Sequence, residues 1–440
     1  MAKKIQDGSI LYYSIRSLVN FTVGRSFRKF QVEGLENIPK EGCTIWACNH
    51  TNALMEPLVM LKSTFAPKVY LARADIFRKP FVVKLLTFLK IMPIYRIRDG
   101  IGSVKRNDEI IERAVDVLQD GVPLVIFPEA THRAKHSLLK LSKGVFHIAM
   151  AVDEKCNGSK PVYILPVGLD YGDYFRFHST VLVRFGNPID VSAYLRDNSE
   201  LTQPQQMQVL RDELTRRMAQ IITFVPDDND YDAVWEYAKL RAADRQYFKK
   251  ALAESESTAG RRFMGLERIQ AVNRHAVAGM LKMKDSNPEG AAELLQKIDE
   301  QRVWRIQNGV SVRSIGGNVS WLTAISKALL ALVGLPYFLF CMTVCSIVWV
   351  PTLLIISRVD DDAFYNTARF GVKFALSWVY FLLFGILFFK LLPFVPALIL
   401  TLLLVPAHRY FYDFLEFCRR CLSDFRWLLS RRRREQKIVF

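Results

Sequence analysis

An α/β fold with a mainly parallel sheet flanked by helices, followed by a helical region and C-terminal transmembrane helices, is the architecture the sequence predicts. Three observations predict it. Up to about residue 190, short apolar runs rich in strand formers alternate with helical patterns, as parallel strands joined by crossover helices do. Between 190 and 315 the chain is charged, helical in pattern and poor in strand formers. From Trp321 it turns apolar, in blocks longer than the ~20 residues a bilayer requires.

The elements follow in order. Residues 8–30 space Ile10, Leu11, Ile15, Leu18, Val19 and Phe21 at near-helical intervals, with Arg25, Arg28 and Lys29 toward the end. Such a helix lies in a bilayer interface or packs on the domain. A short strand and turn at 31–42 lead to a strand at 43–48. A helix runs from Pro57 to about Thr64, a strand over 68–73, an apolar helix over 76–90 and a strand over 91–98. A helix at 105–119, a strand at 122–127, a helix after Gly144 and strands at 162–167 and 180–185 complete the α/β part. Long helical patterns then cover Gln203–Thr223, Tyr231–Ser255 and Gly260–Met283, and Val310–Val319 reads as a linker.

Ala328–Ile356 is long enough to span a bilayer. Val372–Ala407, interrupted by Lys390, Pro393 and Pro396, would overshoot the hydrocarbon core as one straight helix at ~1.5 Å per residue, so it is tilted, kinked or split into a hairpin. Arg409, Arg419, Arg420, Arg426 and the Arg431–Arg434 run favour the cytoplasmic side. A cytoplasmic tail and a cytoplasmic catalytic domain need an even number of crossings, so two are predicted, with the Asp-rich loop 357–362 outside. The predicted organisation is therefore an amphipathic helix at 1–30, a catalytic domain at 31–190 and a helical region with linker at 191–320. Membrane segments at 321–408 and a basic cytoplasmic tail at 409–440 follow.

A formal net charge of +17 with 50% hydrophobic residues points to an anionic membrane surface or phosphorylated substrates, and to no nucleic acid. Seven scattered cysteines, an odd number with several in apolar runs, read as buried thiols of a reducing compartment. Met1-Ala-Lys-Lys and the polar residues after it do not form a signal peptide.

Candidate functional residues gather at predicted strand ends, where α/β sheets place their sites. Asn49-His50-Thr51-Asn52 ends the strand 43–48, and Glu56-Pro57 follows. A carboxylate there can accept the Nδ1 proton of His50 and leave Nε2 to take a proton from a substrate hydroxyl; a satisfied histidine in a turn is the alternative. Arg96 and Arg98 alternate around Ile97, so on a strand they share a face suited to a phosphate; surface ion pairs are the alternative. Pro128-Glu129 follows the 122–127 strand, where the carboxylate accepts substrate hydroxyls, orients an arginine or complements a helix dipole. Thr131, His132 and Arg133 add polar groups to the same loop. His132 lacks a well-placed carboxylate other than Glu129 and reads as binding or structural.

Asn49-His50-Thr-Asn52-Ala-Leu-Met-Glu56-Pro57, Pro93-Ile-Tyr-Arg96, Phe127-Pro128-Glu129-Ala-Thr131 and Ile164-Leu-Pro166-Val167 occur in this order. In that order they resemble the four motif blocks of PlsC-type glycerolipid acyltransferases, over roughly residues 30–190. The family's first block has four residues between His and Asp; here five separate His50 from a Glu, and Met55 stands at the usual acidic position. In the third block Ala130 replaces Gly, and His132 stands where Arg is usual, with Arg133 next to it. The resemblance implies acyl transfer from acyl-CoA or acyl carrier protein (acyl-ACP) to a hydroxyl of glycerol-3-phosphate or 1-acylglycerol-3-phosphate. It implies His50 as the base, Glu56 as its orienter, and Arg96, Glu129 and Arg133 as holders of the phosphorylated acceptor, without metal or redox cofactor. An amino-acid lipid or another lysolipid as acceptor, or an inactive membrane scaffold with residues 190–315 binding a partner, are the alternatives.

Overall fold

The computed structural model describes residues 4–94, 101–317 and 319–430, without the side chains of 101–108. Arg96 and Arg98 thus lie outside the described residues. The chain divides into two units, residues 1–222 with 361–367, and residues 223–360 with 368–440.

The first unit runs α1 (Ile10–Ser26), β1 (Lys29–Glu33), β2 (Cys43–Cys48), α2 (Met55–Ser63), β3 (Val69–Arg73), α3 (Pro80–Phe88) and β4 (Ile91–Ile94). Then come α4 (Ile101–Gln119), β5 (Leu124–Ile126), α5 (Gly144–Cys156), β6 (Val162–Tyr171), β7 (Thr180–Phe185), β8 (Ile189–Asp190), α6 (Val191–Asp197) and α7 (Gln203–Ile221). The sheet order is β1-β7-β6-β2-β5-β3-β4, with β8 also beside β6. All pairings are parallel except β6 with β7 and β6 with β8, so the α/β class holds. Every residue of β2 is buried because β2 sits between β5 and β6 with both faces covered, which explains why it reads as an unbroken apolar run. Ile45, Val69, Leu124 and Ile164 of the strands pack with Leu118 of α4, Phe146 of α5 and Leu210 and Leu214 of α7.

Pro166 lies inside β6, where a proline removes a ladder donor. It falls between the pairing with β8, which reaches Ile164, and the pairing with β7, which starts at Val167. Its carbonyl accepts from Gly186 N at 2.9 Å. The proline thus marks the point where β6 changes its outer neighbour.

Two cations hold the far end of α2, the helix that carries Glu56. Arg16 Nη2 reaches the carbonyls of Thr64 (2.8 Å) and Ala66 (3.2 Å), and buried Lys68 Nζ those of Met60 and Thr64, both at 3.1 Å. Positive charge at a helix C-terminus is favourable. Lys90, in left-handed backbone at φ 62° just before β4, is also buried. Its Nζ donates to the carbonyls of Ile5 (3.2 Å), Gln6 (2.6 Å) and Asp7 (3.0 Å).

Several sequence expectations are corrected. The first helix stops at Ser26, and Lys29–Glu33 pairs with β7. The catalytic unit extends past 190: Met207, Leu210, Leu214 and Met218 of α7 complete the sheet's core. The second unit holds α8 (Tyr231–Ala243), α9 (Arg245–Ala259), α10 (Leu266–Ser286), α11 (Pro288–Gln307) and α12 (Val312–Gly316). The pattern Tyr231–Ser255 is thus two helices, broken where the Asp244 side chain accepts from Gln246 N and Tyr247 N and caps α9. Within the expected linker, Ser314 of α12 is buried and donates to Asp424 at 2.7 Å.

The apolar blocks form α13 (Trp321–Val344), α14 (Ser346–Ile356), α15 (Tyr365–Leu391) and α16 (Phe394–Leu429). Three helical stretches, Trp321–Val344, Asp362–Leu391 and Phe394–Leu429, are long and apolar enough to cross a bilayer, and give the chain integral-membrane character. Leu330, Val333, Leu382 and Leu402 along them are exposed, as lipid-facing side chains are. The second block is split before Pro393, and α16 runs far beyond residue 408. With Asp361 at His132, the Asp-rich loop does not lie across the membrane from the catalytic unit, as the expectation of an outside loop requires. Among the described residues there are three candidate spans, and Asp361–Thr367 groups with the catalytic unit, held there by Asp361 against His132.

Candidate active site

The site lies at the carboxyl ends of β2, β5 and β6. Asn49, the first residue past β2, continues the ladder with its side chain: Nδ2 donates to Leu169 O at 3.0 Å, and Oδ1 accepts from Leu169 N at 2.7 Å. This amide-to-backbone clamp fixes the next residue, His50. The His50 ring lies against Phe127, the residue after β5, with centroids 4.7 Å apart.

His50 Nδ1 is hydrogen-bonded to Glu56 Oε2. Glu56 is fully buried, and its Oε1 accepts from Thr51 N, from Thr51 Oγ1 at 2.7 Å and from Asn52 N at 3.0 Å. A buried carboxylate needs such donors to stay charged. The extra residue between His50 and Glu56, relative to the family pattern, is taken up in the turn that enters α2. Ala53 there is left-handed at φ 43°, and Met55 N donates to Asn52 O at 3.0 Å. The longer glutamate side chain then reaches back to the imidazole. Pro57 sits in the first turn of α2, where its missing N–H costs nothing.

Burial of the His50 ring disfavours its cation, but the charge of Glu56 and its hydrogen bond, with Glu129 adding, outweigh that and raise the imidazole above the ordinary histidine value. The side chain is 18% exposed, and among the described residues nothing bonds Nε2. One nitrogen is thus fixed by a carboxylate and the other left for a substrate proton, which is the arrangement of a general base.

Glu129 serves the same loop. Its Oε1 accepts from His50 N at 2.8 Å and its Oε2 from Leu139 N at 2.9 Å. Burial pushes this carboxyl up to about 7, against the pull of those two N–H groups. Both oxygens therefore engage backbone, so in this structure Glu129 holds the His50 loop in place. Pro128 is buried and its carbonyl accepts from Ser142 N at 2.7 Å. Ala130 is left-handed at φ 57°, which explains why the family pattern favours glycine there: a Cβ in that conformation costs about 1–2 kcal/mol.

Arg133 N donates to His50 O at 3.1 Å, and its Nη2 to Ser137 Oγ at 2.7 Å. Thr131 is exposed beside it. Asn52 Nδ2 donates to Tyr174 O at 3.1 Å. His132 lies edge-on to His50, centroids 5.6 Å apart, and its carboxylate partner is Asp361, not Glu129: Nε2 to Oδ2 is 2.9 Å. The structure thus brings together His50, Glu56, Glu129, His132 and Arg133. Sequence reasoning gave no role to Thr51 or Phe127, although both lie within the motifs, and had no local signal for Leu139 or Asp361. Among the described residues no cluster of His, Cys, Asp or Glu fits a metal ion. All seven cysteines are free, and all but Cys418 are buried.

The family described as "Acyltransferase" matches residues 29–170. A 1-acyl-sn-glycerol-3-phosphate acyltransferase of Borreliella burgdorferi is 24% identical over 214 residues, covering 48% of this chain and 80% of that one. The chloroplastic 1-acyl-sn-glycerol-3-phosphate acyltransferase LPAT1 of Arabidopsis thaliana is 26% identical over 125 residues, 28% of this chain and 33% of its own length. The crystal structure of the 1-acyl-sn-glycerophosphate (LPA) acyltransferase PlsC from Thermotoga maritima aligns with TM-score 0.33 at 20% identity over 48% of this chain and 79% of that one. Through residues 29–170 the chain belongs to the PlsC-type acyltransferase family and is an O-acyltransferase of the glycerolipid class.

Proposed function

We propose that this enzyme moves a fatty acyl group from acyl-CoA or acyl-ACP to a hydroxyl of glycerol-3-phosphate or 1-acylglycerol-3-phosphate, at the membrane surface and on the cytoplasmic side. The single observation that carries the reading is the His50–Glu56 pair, with Nδ1 bound to a buried carboxylate. In this reading Nε2 takes the proton of the acceptor hydroxyl as its oxygen attacks the thioester carbonyl. The new ester bond forms, the C–S bond breaks, and the same proton passes from His50 to the departing thiolate. Glu56 keeps Nδ1 protonated throughout and stabilises the imidazolium.

Both curated relatives are named for acylating 1-acyl-sn-glycerol-3-phosphate, which favours a phosphorylated acceptor. Arg96 and Arg98 follow β4 in the chain, and they, with Arg133 and Thr131, are the groups we assign to its phosphate. The basic residues from Arg409 to Arg434 support a cytoplasmic tail by the positive-inside rule.

The test is acylation by membranes containing the full chain, given labelled acyl-CoA or acyl-ACP and a panel of acceptors. Product from glycerol-3-phosphate or lysophosphatidate, lost in Arg96→Ala through a raised acceptor KM, is the expected result. Acylation of uncharged acceptors alone would refute the assignment.

A further inference from the structure

The third motif block places His132 where its family pattern has arginine. An imidazole is shorter than a guanidinium, and its charge depends on its surroundings. In this chain those surroundings come from 229 residues downstream, where Asp361 Oδ2 lies 2.9 Å from His132 Nε2. Asp361 is itself fixed, since its Oδ1 accepts from Ala363 N at 2.9 Å. Phe364 sets its ring edge-on to His132, centroids 5.5 Å apart at 87°. Asn366 is buried and donates from Nδ2 to Tyr174 O at 2.6 Å, the carbonyl that also receives Asn52 of the first block. Segment 361–367 is therefore pinned at two points, one on the loop after β5 and one on the loop after β6. Along the chain it joins two apolar helices, α14 and α15.

We propose that segment 361–367 is a working part of the acyltransferase site, in which Asp361 is a positioning residue that holds the His132 ring beside His50 in the place of the missing arginine. Its ligand is the anionic headgroup of the acceptor, and to that extent the inference rests on the proposed function. With Nε2 tied to Asp361, Nδ1 is the nitrogen left to meet that anion. The segment linking two membrane helices thereby completes the headgroup site, and a sheet domain without it leaves the His132 ring unplaced.

Four full-length proteins in membranes decide the matter: wild type, Asp361→Asn, His132→Arg and the double variant. Asparagine keeps an oxygen for Ala363 N and removes only the charge. In Asp361→Asn the KM for the acceptor rises about tenfold, while kcat and the KM for the acyl donor stay within about twofold. A guanidinium carries its own charge, so His132→Arg acts independently of Asp361 and the double variant matches His132→Arg. Carbethoxylation of His132 by diethyl pyrocarbonate, followed by peptide mass spectrometry, is several-fold faster in Asp361→Asn than in wild type. Equal losses from Asp361→Asn in both backgrounds would mean that the pair merely staples two loops, and would overturn the proposal. An unchanged KM with an unchanged carbethoxylation rate would overturn it as well. Wild-type activity confined to uncharged acceptors would sink the proposed function and the anionic ligand together. The same four proteins, assayed on the uncharged acceptor, then show whether Asp361 still acts through His132.

Discussion

His50 and His132 each lean on a carboxylate, and the two pairs are built in opposite ways. Glu56 is six residues from its histidine, wholly buried, and held by three further donors from Thr51 and Asn52. Asp361 is 229 residues from its histidine, and its side chain is 53% exposed. Removing one member of a buried pair strands a charge and costs about 3–5 kcal/mol, whereas a solvated pair contributes about 0–1 kcal/mol. The first pair is a rigid fixture of the strand end. The second is a contact that water and chain motion can compete for, so its worth lies in placing a group and not in stabilising the fold.

The contrast can be broken most forcefully at His50. His50→Ala should lower kcat/KM about a thousandfold, with membrane association unchanged and the fold destabilised, since buried Glu56 loses its ring partner. A folded His50→Ala protein of normal activity would remove the dyad from the mechanism. Glu56→Gln should cost about a hundredfold in kcat, since the amide no longer fixes the Nδ1–H tautomer, and it should destabilise the fold because the site is dry. Glu56→Asp tests reach: the shorter carboxylate leaves the imidazole, and activity should fall nearly as far.

The pH profile sharpens the same comparison. A general base works in its neutral form, so activity falls as pH drops through the His50 pKa. Glu56 and Glu129 raise that pKa, which puts the acid limb of kcat/KM above the ordinary imidazole value of about 6.5. In Glu56→Gln the limb should move down; a limb that stays put would show that another group is titrating.

Glu129 yields a smaller effect, read on stability. Its folded-state pKa is raised from 4.5 to about 7, so between those values the folded protein binds more protons than the unfolded chain. Stability from this group is therefore present at low pH and declines as pH rises through the window. Glu129→Gln should flatten that decline, as chemical denaturation across the window would show. The smallest change is expected at Ala130, left-handed at φ 57°. Ala130→Gly should raise the melting temperature slightly, relief of backbone strain outweighing the extra freedom of the unfolded chain by roughly 0.5–1 kcal/mol. A lower melting temperature would count against strain at this turn.

The two pairs also show what a sequence makes legible. His50 and Glu56 could be read together because one strand end and one helix start supply both. The strand itself was legible because burial on both faces leaves an unbroken apolar run. His132–Asp361 was not, since no periodicity links a loop after β5 to a segment between apolar helices. The reach of the catalytic unit to residue 222 was hidden for another reason. Met207, Leu210, Leu214 and Met218 form a helical stripe, but the charged residues between them give the stretch the look of a solvated region. The break at Asp244 could have been found from its capping chemistry, yet helical residues on both sides mask it. The end of α13 at Val344 carries neither Gly nor Pro as a signal.

Lys90 has a consequence for anyone trimming this protein. Its three N–H protons go to the carbonyls of Ile5, Gln6 and Asp7. A truncation that started after residue 8 would delete every one of those acceptors from around a buried ammonium. The damage would fall at the root of β4. What looks like a dispensable leading tail is thus the anchor for the start of β4.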